Sequence, residues 1–218
     1  MPHILIIDDH PITIRGYKLI LENQKIALSN EVQGATNCDQ VIEIMNVPEE
    51  LFFDVVLLDI SLPASKDKQV TSGEDLGFLI RKKYPKTKII VHTGLNYVQR
   101  ISNIFNTLKP EGFLIKSDIS ANVLKIAVNK VLQNGTYYSE KIKDLLYPED
   151  FEKIYIDSSN RKILYHLSQG YRMKDLPEHI QLSMPTIERR KKRIKALLGV
   201  PNGNTKDLLE VARKKGFI

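Results

Sequence analysis

The most informative segment of the chain reads FFDVVLLDISLP and spans residues 52–63. Of the six residues before Asp59, only Asp54 is polar, and two of the other five are valines. Such an apolar run, bounded by turn residues, predicts a strand that is buried on both faces of a parallel sheet. The run ends at a carboxylate, and open α/β sheets bind ligands at the carboxyl ends of their strands. Asp59 is therefore our candidate for the reacting residue, although an aspartate after a strand more often forms a turn or a helix cap.

Strands and helices alternate through the first 135 residues. Besides the segment quoted above, four apolar segments predict strands, over residues 3–7, 26–34, 88–92 and 112–115. Apolar residues at helical spacing follow each strand, over residues 11–23, after the cap Asn37, and over residues 73–84, 96–108 and 120–134. Five βα units in a row predict an α/β fold with a parallel sheet covered on both faces.

The predicted strand ends bring a chemically consistent set of residues together. Right-handed crossovers place all carboxyl ends of the strands at one edge, which receives Asp8, Asp9, Asp59, Thr93 and Lys116. Three carboxylates at one place repel strongly unless a cation neutralises them, and an open site with few ligands favours Mg²⁺. A metal ion, a carboxylate nucleophile, a hydroxyl and a lysine together indicate a phosphoryl acceptor.

Composition and charge limit the class of protein. None of the apolar runs in the 218 residues is long enough to span a bilayer, and the N-terminus reaches Asp8 too early for a signal peptide. The single cysteine, Cys38, excludes an intramolecular disulfide, and we expect a cytoplasmic protein without a membrane partner. Residues 1–149 contain 17 Lys or Arg and 18 Asp or Glu, whereas residues 150–218 contain 15 and 8. This difference predicts a polyanionic partner for the C-terminal part alone.

The C-terminal part has a purely helical pattern. We predict a helix that Ser158 or Ser159 caps, a short helix over residues 172–180 and a longer one over residues 184–198. These elements with their tight turn indicate a helix-turn-helix. A basic run on a helix is usually a solvated face. Cations on the third helix of this motif, in the basic part of the chain, instead favour DNA phosphates and major-groove edges.

The first 135 residues resemble the receiver domain of bacterial two-component response regulators. The resemblance rests on four motifs, each at the end of its own strand: Asp8-Asp9, Asp59-x-x-x-Pro63, Thr93-Gly94 and Phe113-x-x-Lys116. It implies a flavodoxin-like (βα)5 fold in which Asp59 takes a phosphoryl group from a sensor histidine kinase. It also implies that Asp8, Asp9, Asp59 and the carbonyl of Ser61 bind Mg²⁺. Thr93 and Phe113 would form the switch pair, and Lys116 would bind the phosphoryl group.

One departure from the receiver pattern concerns the loop after Asp59. The glycine that the family places about eight residues after the acceptor corresponds here to Gly73, fourteen residues on. The intervening polar residues 64–72 favour a solvated surface loop, and the alternative is a contact for the kinase or a lid over Asp59. His92 is a second oddity, for which a satisfied, partly buried side chain is the simpler interpretation.

Residues 155–218 resemble the LuxR-type (NarL/FixJ-like) DNA-binding domain. The matching motifs include Leu167-x-x-Gly170, Leu182-Ser183-x-x-Thr186-Ile187 and Leu198-Gly199-Val200. The resemblance implies that Glu188, Arg189 and Lys192 face the DNA bases. It places Thr186, Arg190, Lys191, Arg193 and Lys174 nearer the DNA backbone. Glu188, Arg190, Asn160 and Pro177 depart from the usual Lys, His, Glu and Ala, which affects the DNA sequence that is read rather than the mode of binding.

The resulting hypothesis is a transcription regulator controlled by phosphorylation. It has a receiver domain (residues 1–135), a linker (136–154) and an all-α helix-turn-helix domain (155–218), binds double-stranded DNA and forms a homodimer when phosphorylated or bound to DNA. One alternative is a docking module whose helix-turn-helix binds protein. Another is an aspartyl-phosphatase-like enzyme, which needs a second carboxylate where the chain has Ser61. We therefore expect no enzyme activity.

Overall fold

The computed structural model describes residues 1–47, 52–94, 97–146 and 154–218 of the chain. These residues form two compact units. The first unit comprises the described residues of Met1–Gly94 and Leu108–Tyr147. The second unit comprises the described residues of Leu95–Thr107 and Pro148–Ile218. The predicted helix start at Asn96 and residues 147–153 of the predicted linker lie outside the described residues.

The first unit contains a parallel sheet with the strand order β2-β1-β3-β4-β5-β6. The first five strands follow the flavodoxin-like order, so the predicted α/β fold is confirmed. A sixth strand comes from residues predicted to be linker. The strands span Ile4–Ile7 (β1), Val32–Ala35 (β2), Val55–Asp59 (β3), Lys88–Thr93 (β4), Gly112–Ile115 (β5) and Tyr137–Tyr138 (β6).

Helices follow the strands along the chain. They span Pro11–Asn23 (α1), Cys38–Asn46 (α2), Gly73–Lys83 (α3), Val98–Leu108 (α4), Ala121–Leu132 (α5) and Glu140–Leu146 (α6). Leu57 of β3 and Ile90 of β4 share a core with Leu21 of α1 and Val128 of α5. Leu58, the next residue along β3, lies instead against Gly77 of α3. Alternate residues of β3 therefore face opposite helical layers, as a doubly covered sheet requires.

The second strand is shorter than its apolar pattern predicted. β2 begins only at Val32, and a 3₁₀ turn over Ser29–Glu31 precedes it. The Glu31 carboxylate accepts the backbone N–H of Leu28 at 3.0 Å, which turns the chain before the strand starts. Ile26 and Ala27 still enter the core, but from a turn. The strand prediction over residues 26–31 was therefore wrong.

The second unit contains the predicted helix-turn-helix. Its remaining helices span Ser158–Ser168 (α7), Leu176–Ile180 (α8), Met184–Leu197 (α9) and Thr205–Lys214 (α10). Ile163, Leu176, Ile187, Ile194 and Leu208 form its core. Within the described ranges, none of the helices has the length and apolar character needed to cross a membrane.

Two local details of this unit depend on backbone geometry. Gln181 adopts a left-handed conformation with φ of 56°, and this residue turns the chain from α8 into α9. The cap of α7 is Asp157, whose side chain accepts the backbone N–H of Asn160 at 2.8 Å. The prediction that Ser158 or Ser159 caps this helix was wrong, because a carboxylate one residue earlier takes that role.

Candidate functional site

Two buried carboxylates and one lysine meet at the carboxyl edge of the sheet. Asp8 directly follows β1 and is 0% exposed, and Asp59 ends β3 and is 1% exposed. The ammonium Nζ of Lys116 lies 2.7 Å from Oδ2 of each carboxylate. The crossovers thus bring together side chains that the sequence separates by more than 100 residues.

The protonation states follow from this ion triplet. Burial acts to raise the pKa of Asp8, but hydrogen bonds from Lys116 and the backbone of His10 outweigh it, and the net pKa is lowered. Burial acts to lower the pKa of Lys116, but Asp59 and Asp8 outweigh it, and the net pKa is raised. Both groups are therefore charged at neutral pH, and the lysine neutralises part of the acidic cluster.

The same edge offers oxygen and nitrogen ligands in a group suited to a cation. One ligand atom each from Asp8, Asp9 and His10 lie within 4.8 Å of one another. The Nδ1 atom of His10 lies 2.7 Å from Asp9 and 3.1 Å from Asp8, and sequence reasoning did not single this residue out. The two carboxylates fit the oxygen ligands that Mg²⁺ prefers. Asp59 stands outside this group, since its carboxylate is held by Lys116 and by the N–H of Ser61.

The predicted switch residues lie on neighbouring strands. Thr93 ends β4 and pairs in register with Ile115, and Phe113 pairs with Val91. Both side chains are fully buried. Phe113 thus already occupies a packed position in this structure, and Ser61, whose carbonyl was predicted to bind Mg²⁺, is exposed beside Asp59.

Gly73 lies directly against the backbone of the candidate acceptor. A Cβ atom at this position would lie 1.8 Å from the carbonyl oxygen of Asp59 and 2.9 Å from Cα of Ile60. The N–H of Gly73 donates to the carbonyl of Ile60 at 3.1 Å. Only glycine allows α3 to start so close to β3, which gives a steric reason for the glycine noticed in the sequence.

The loop over residues 64–72 is more buried and more hydrogen-bonded than the solvated-loop interpretation predicted. Ser65, Val70 and Thr71 are buried. The hydroxyl of Ser65 donates to the Asp67 carboxylate at 2.6 Å and accepts the N–H of Val70 at 3.1 Å. The N–H of Lys66 donates to Asp39 at the start of α2. These bonds fix the loop's path beside the site, while a role as kinase contact or lid stays a prediction.

His92 is fully buried next to the acidic cluster. Its Nδ1 lies 3.6 Å from Oδ2 of Asp8, and its ring packs edge-on against Tyr17, with centroids 5.3 Å apart. Burial lowers the pKa of His92 to about 4, against the opposing effects of Asp59 and Asp8. The imidazole is therefore neutral. The prediction of a satisfied, partly buried histidine was wrong, because the side chain is fully buried and neither ring nitrogen has a hydrogen-bond partner among the described residues.

The second unit presents a cationic surface on α9. Ile187 and Ile194 point into the core, and the predicted base-facing residues Glu188, Arg189 and Lys192 are exposed. Arg193 and Lys174 are exposed as well, and Thr186 is half-buried with its hydroxyl 2.9 Å from that of Ser183. All of these predicted contact residues except Thr186 are exposed, as direct contact with nucleic acid requires.

Two predicted backbone-contacting residues also have partners within the unit. Nη1 of Arg190 lies 2.8 Å from Asp157 Oδ2 and 3.0 Å from Asn160 Oδ1. Nζ of Lys191 donates to the hydroxyl of Thr205 at 2.8 Å. Sequence reasoning missed Asp157, and an aspartate just before the predicted helix was the signal that could have identified it.

Known proteins resemble this chain over nearly its whole length. The family model for the response regulator receiver domain matches residues 4–129. The chain is 26% identical over 220 residues to the transcriptional regulatory protein MctR of Rhizobium johnstonii, covering 99% of this chain and 94% of that protein. It is 24% identical over 227 residues to the oxygen regulatory protein NreC of Staphylococcus aureus, covering 99% and 98%.

Solved structures give a consistent match. RcsB of Salmonella enterica serovar Typhimurium, bound to promoter P1flhDC in the presence of phosphomimetic BeF3⁻, matches with a TM-score of 0.64 and 25% identity, covering 98% of each chain. A structure of two RcsB dimers bound to two parallel DNAs matches with a TM-score of 0.57 and 25% identity, covering 99% of this chain and 98% of that one.

Proposed function

The chain belongs to the response regulator receiver domain family, and we propose that it regulates transcription by binding DNA when Asp59 is phosphorylated. Its full-length relatives are of the NarL/FixJ type. The observation that carries this proposal is the triplet in which Lys116 bridges the buried carboxylates of Asp8 and Asp59 at 2.7 Å. The ammonium of a lysine that lies between a metal-binding carboxylate and a nucleophilic one can move its hydrogen bonds to the oxygens of an incoming phosphoryl group.

The transfer uses the side chains at the sheet edge. An oxygen of Asp59 attacks phosphorus, the bond from phosphorus to the phosphohistidine nitrogen of the kinase breaks, and the imidazole takes a proton from solvent. Asp8 and Asp9, with Asp59 and the carbonyl of Ser61, would hold Mg²⁺, which would supply positive charge for the oxygens of the transferred group. Lys116 follows the new charge, and Thr93 donates a hydrogen bond to it. The new group adds about −1.5 to −2 charges at this edge.

DNA is the partner that best fits α9. Arg189, Lys192 and Arg193 are exposed together in the basic part of the chain. Such a surface matches duplex phosphates, and Arg189 can read guanine while Glu188 accepts from cytosine. RcsB forms dimers that bind DNA, and we propose both properties for this chain, with a homodimer on paired half-sites in the cytoplasm.

The two alternatives fit less well. A protein-docking helix-turn-helix does not require adjacent exposed cations, and a steep salt dependence of DNA affinity separates it from our proposal. An aspartyl-phosphatase needs a general acid two residues after its nucleophile, and Ser61 cannot act as one at neutral pH. We therefore propose a regulator without a catalytic cycle of its own.

One experiment tests the proposal. The chain is treated with acetyl phosphate and Mg²⁺, its intact mass is measured, and its binding to a pool of genomic DNA fragments is compared before and after treatment. The matched variants are Asp59→Asn and Asp118→Asn, since Asp118 is an aspartate near the same edge that pairs with Lys141 instead. We expect modification and enhanced binding in wild type and Asp118→Asn only. Equal modification of Asp59→Asn contradicts the site assignment.

A further inference from the structure

One polar side chain of α4 is buried against the backbone just before α7. The N–H of Ile156 donates to Oδ1 of Asn103 at 2.8 Å, and Nδ2 of Asn103 donates to the carbonyl of Ile156 at 3.2 Å. Asn103 is 1% exposed and Ile156 is 0% exposed. A single side chain thus satisfies both polar groups of one buried peptide residue, which we call the Asn103 clamp.

The clamp connects directly to the helix that carries the DNA-binding surface. Asp157, the residue after Ile156, caps α7 and receives the guanidinium of Arg190 from α9. Arg161 of α7 also donates to the carbonyl of Ile156, at 3.0 Å. The two consecutive residues Ile156 and Asp157 therefore join α4, α7 and α9 through hydrogen bonds and one ion pair.

A second contact holds the start of α4 to the same unit. The ring of Tyr97 lies against Gly216 after α10, where a Cβ atom would come within 2.6 Å of the ring. Gly216 has φ of 74°, a conformation that disfavours a side chain for a separate reason. Residues 95–107, where described, accordingly belong to the same compact unit as α7 to α10.

The position of α4 in the chain gives the clamp its significance. Thr93, the hydroxyl expected to move toward the phosphoryl group, ends β4, and α4 begins shortly afterwards at Val98. Thr93 and Val98 are only five positions apart in the sequence, so a displacement of Thr93 can be passed along the chain to α4. Because Asn103 is bonded to both polar groups of Ile156, movement of α4 must either carry that residue along or break two buried hydrogen bonds.

We propose that Asn103 couples phosphorylation at Asp59 to DNA binding by α9, through its two hydrogen bonds to Ile156. This inference rests on the proposed function and adds the residue that transmits the signal. Coupling means that the same global state is favoured by both ligands, with typical factors of about 5 to 150 in affinity. Without the clamp, α9 keeps its DNA-binding side chains but loses the response to phosphorylation.

The test compares two asparagines on the same helix. Asn106 is exposed, and its amide donates to Ser102 within α4, so Asn106→Ala removes an asparagine without touching the clamp. A genomic fragment selected by the wild-type chain serves as the probe. Its Kd is measured with and without beryllofluoride and Mg²⁺ for wild type, Asn103→Ala and Asn106→Ala. We expect a ratio of about 10 in wild type and Asn106→Ala and about 1 in Asn103→Ala.

The outcomes separate this inference from the proposed function. If wild type does not bind DNA or does not respond to beryllofluoride, the proposed function fails and the inference fails with it. If wild type responds and Asn103→Ala responds equally, only the clamp is refuted. Should Asn103→Ala not fold, hydrogen exchange at the Ile156 amide of wild type decides: a rate that beryllofluoride changes supports the coupling, and an unchanged rate overturns it.

Discussion

The close approach of α3 to β3 gives a sharp prediction for Gly73→Ala. The added Cβ atom would lie 1.8 Å from the carbonyl oxygen of Asp59, and the nearest atoms are all backbone, so no side chain can rotate away. Helix and strand must separate by roughly 1 Å, for which we expect a loss of about 3 kcal/mol in the free energy of unfolding. The strand that moves carries Asp59, the proposed phosphoacceptor, so phosphorylation should slow as well.

The matched control for this substitution is Gly16→Ala in α1. Nothing lies within 4 Å of a Cβ atom at Gly16, and its backbone is helical. Replacing an unhindered helical glycine with alanine stabilises a protein by about 1 kcal/mol. The two substitutions are chemically identical, and we predict opposite signs for them.

Hydrogen exchange of the β3 amides at increasing urea measures the stability of the first unit without assuming that both units unfold together. For Gly73→Ala the urea midpoint should fall by about 1.5 M, given slopes near 2 kcal/mol per molar. The rate of modification by acetyl phosphate is measured on the same samples. A Gly73→Ala chain within about 0.5 kcal/mol of wild type, modified at the wild-type rate, would refute the steric reasoning.

Three further predictions concern charges. Lys116→Met leaves Asp8 and Asp59 facing each other, and we expect a loss of about 2 kcal/mol at neutral pH that Mg²⁺ restores; a thermal melt unaffected by Mg²⁺ would contradict this. The pKa of His92 is lowered to about 4 in the folded state, so this residue contributes about 3 kcal/mol to the free energy of unfolding. That contribution is complete above pH 6.5 and is lost as the pH falls toward 4. Urea unfolding should therefore depend less on pH between 6.5 and 4 in His92→Leu than in wild type, and parallel curves would exclude it. Lys192→Ala should weaken DNA binding and reduce the slope of log Kd against log salt by about 1, whereas Lys82→Ala on α3 should leave both unchanged.

The sheet and its reactive edge were predictable because they follow from local patterns and one chirality rule. Apolar runs identified β1, β3, β4 and β5, and right-handed crossovers then required that Asp8, Asp59 and Lys116 meet. The error at β2 has the same kind of local cause. Glu31 bonds to the Leu28 amide, and a side chain that competes for the backbone overrides an apolar pattern of three residues.

The Asn103 clamp could not be predicted, because it joins residues 53 positions apart in the sequence. In the sequence Asn103 lies three or four positions from Gln99, Arg100, Asn106 and Thr107, on a face of α4 where helical periodicity predicts solvated side chains. The pattern therefore does not indicate that Asn103 is buried or has a specific partner. The partners are the backbone N–H and carbonyl of Ile156. Every residue other than proline has both groups, so the amino-acid sequence does not show which of them bind a side chain.

The departures from the LuxR-type pattern change meaning once their contacts are known. In the sequence, Arg190 and Asn160 are two departures from the usual residues with no evident connection. In the structure, Nη1 of Arg190 donates to Asn160 at 3.0 Å and pairs with Asp157 at 2.8 Å. A guanidinium that joins α9 to the cap of α7 has lost the freedom to turn toward a base. Both departures therefore alter how two helices are held together, and base reading falls to the exposed side chains of α9. Among these, Glu188 replaces a cation with a carboxylate, which can accept from cytosine, and we expect it to be the departure that changes which DNA sequence is bound.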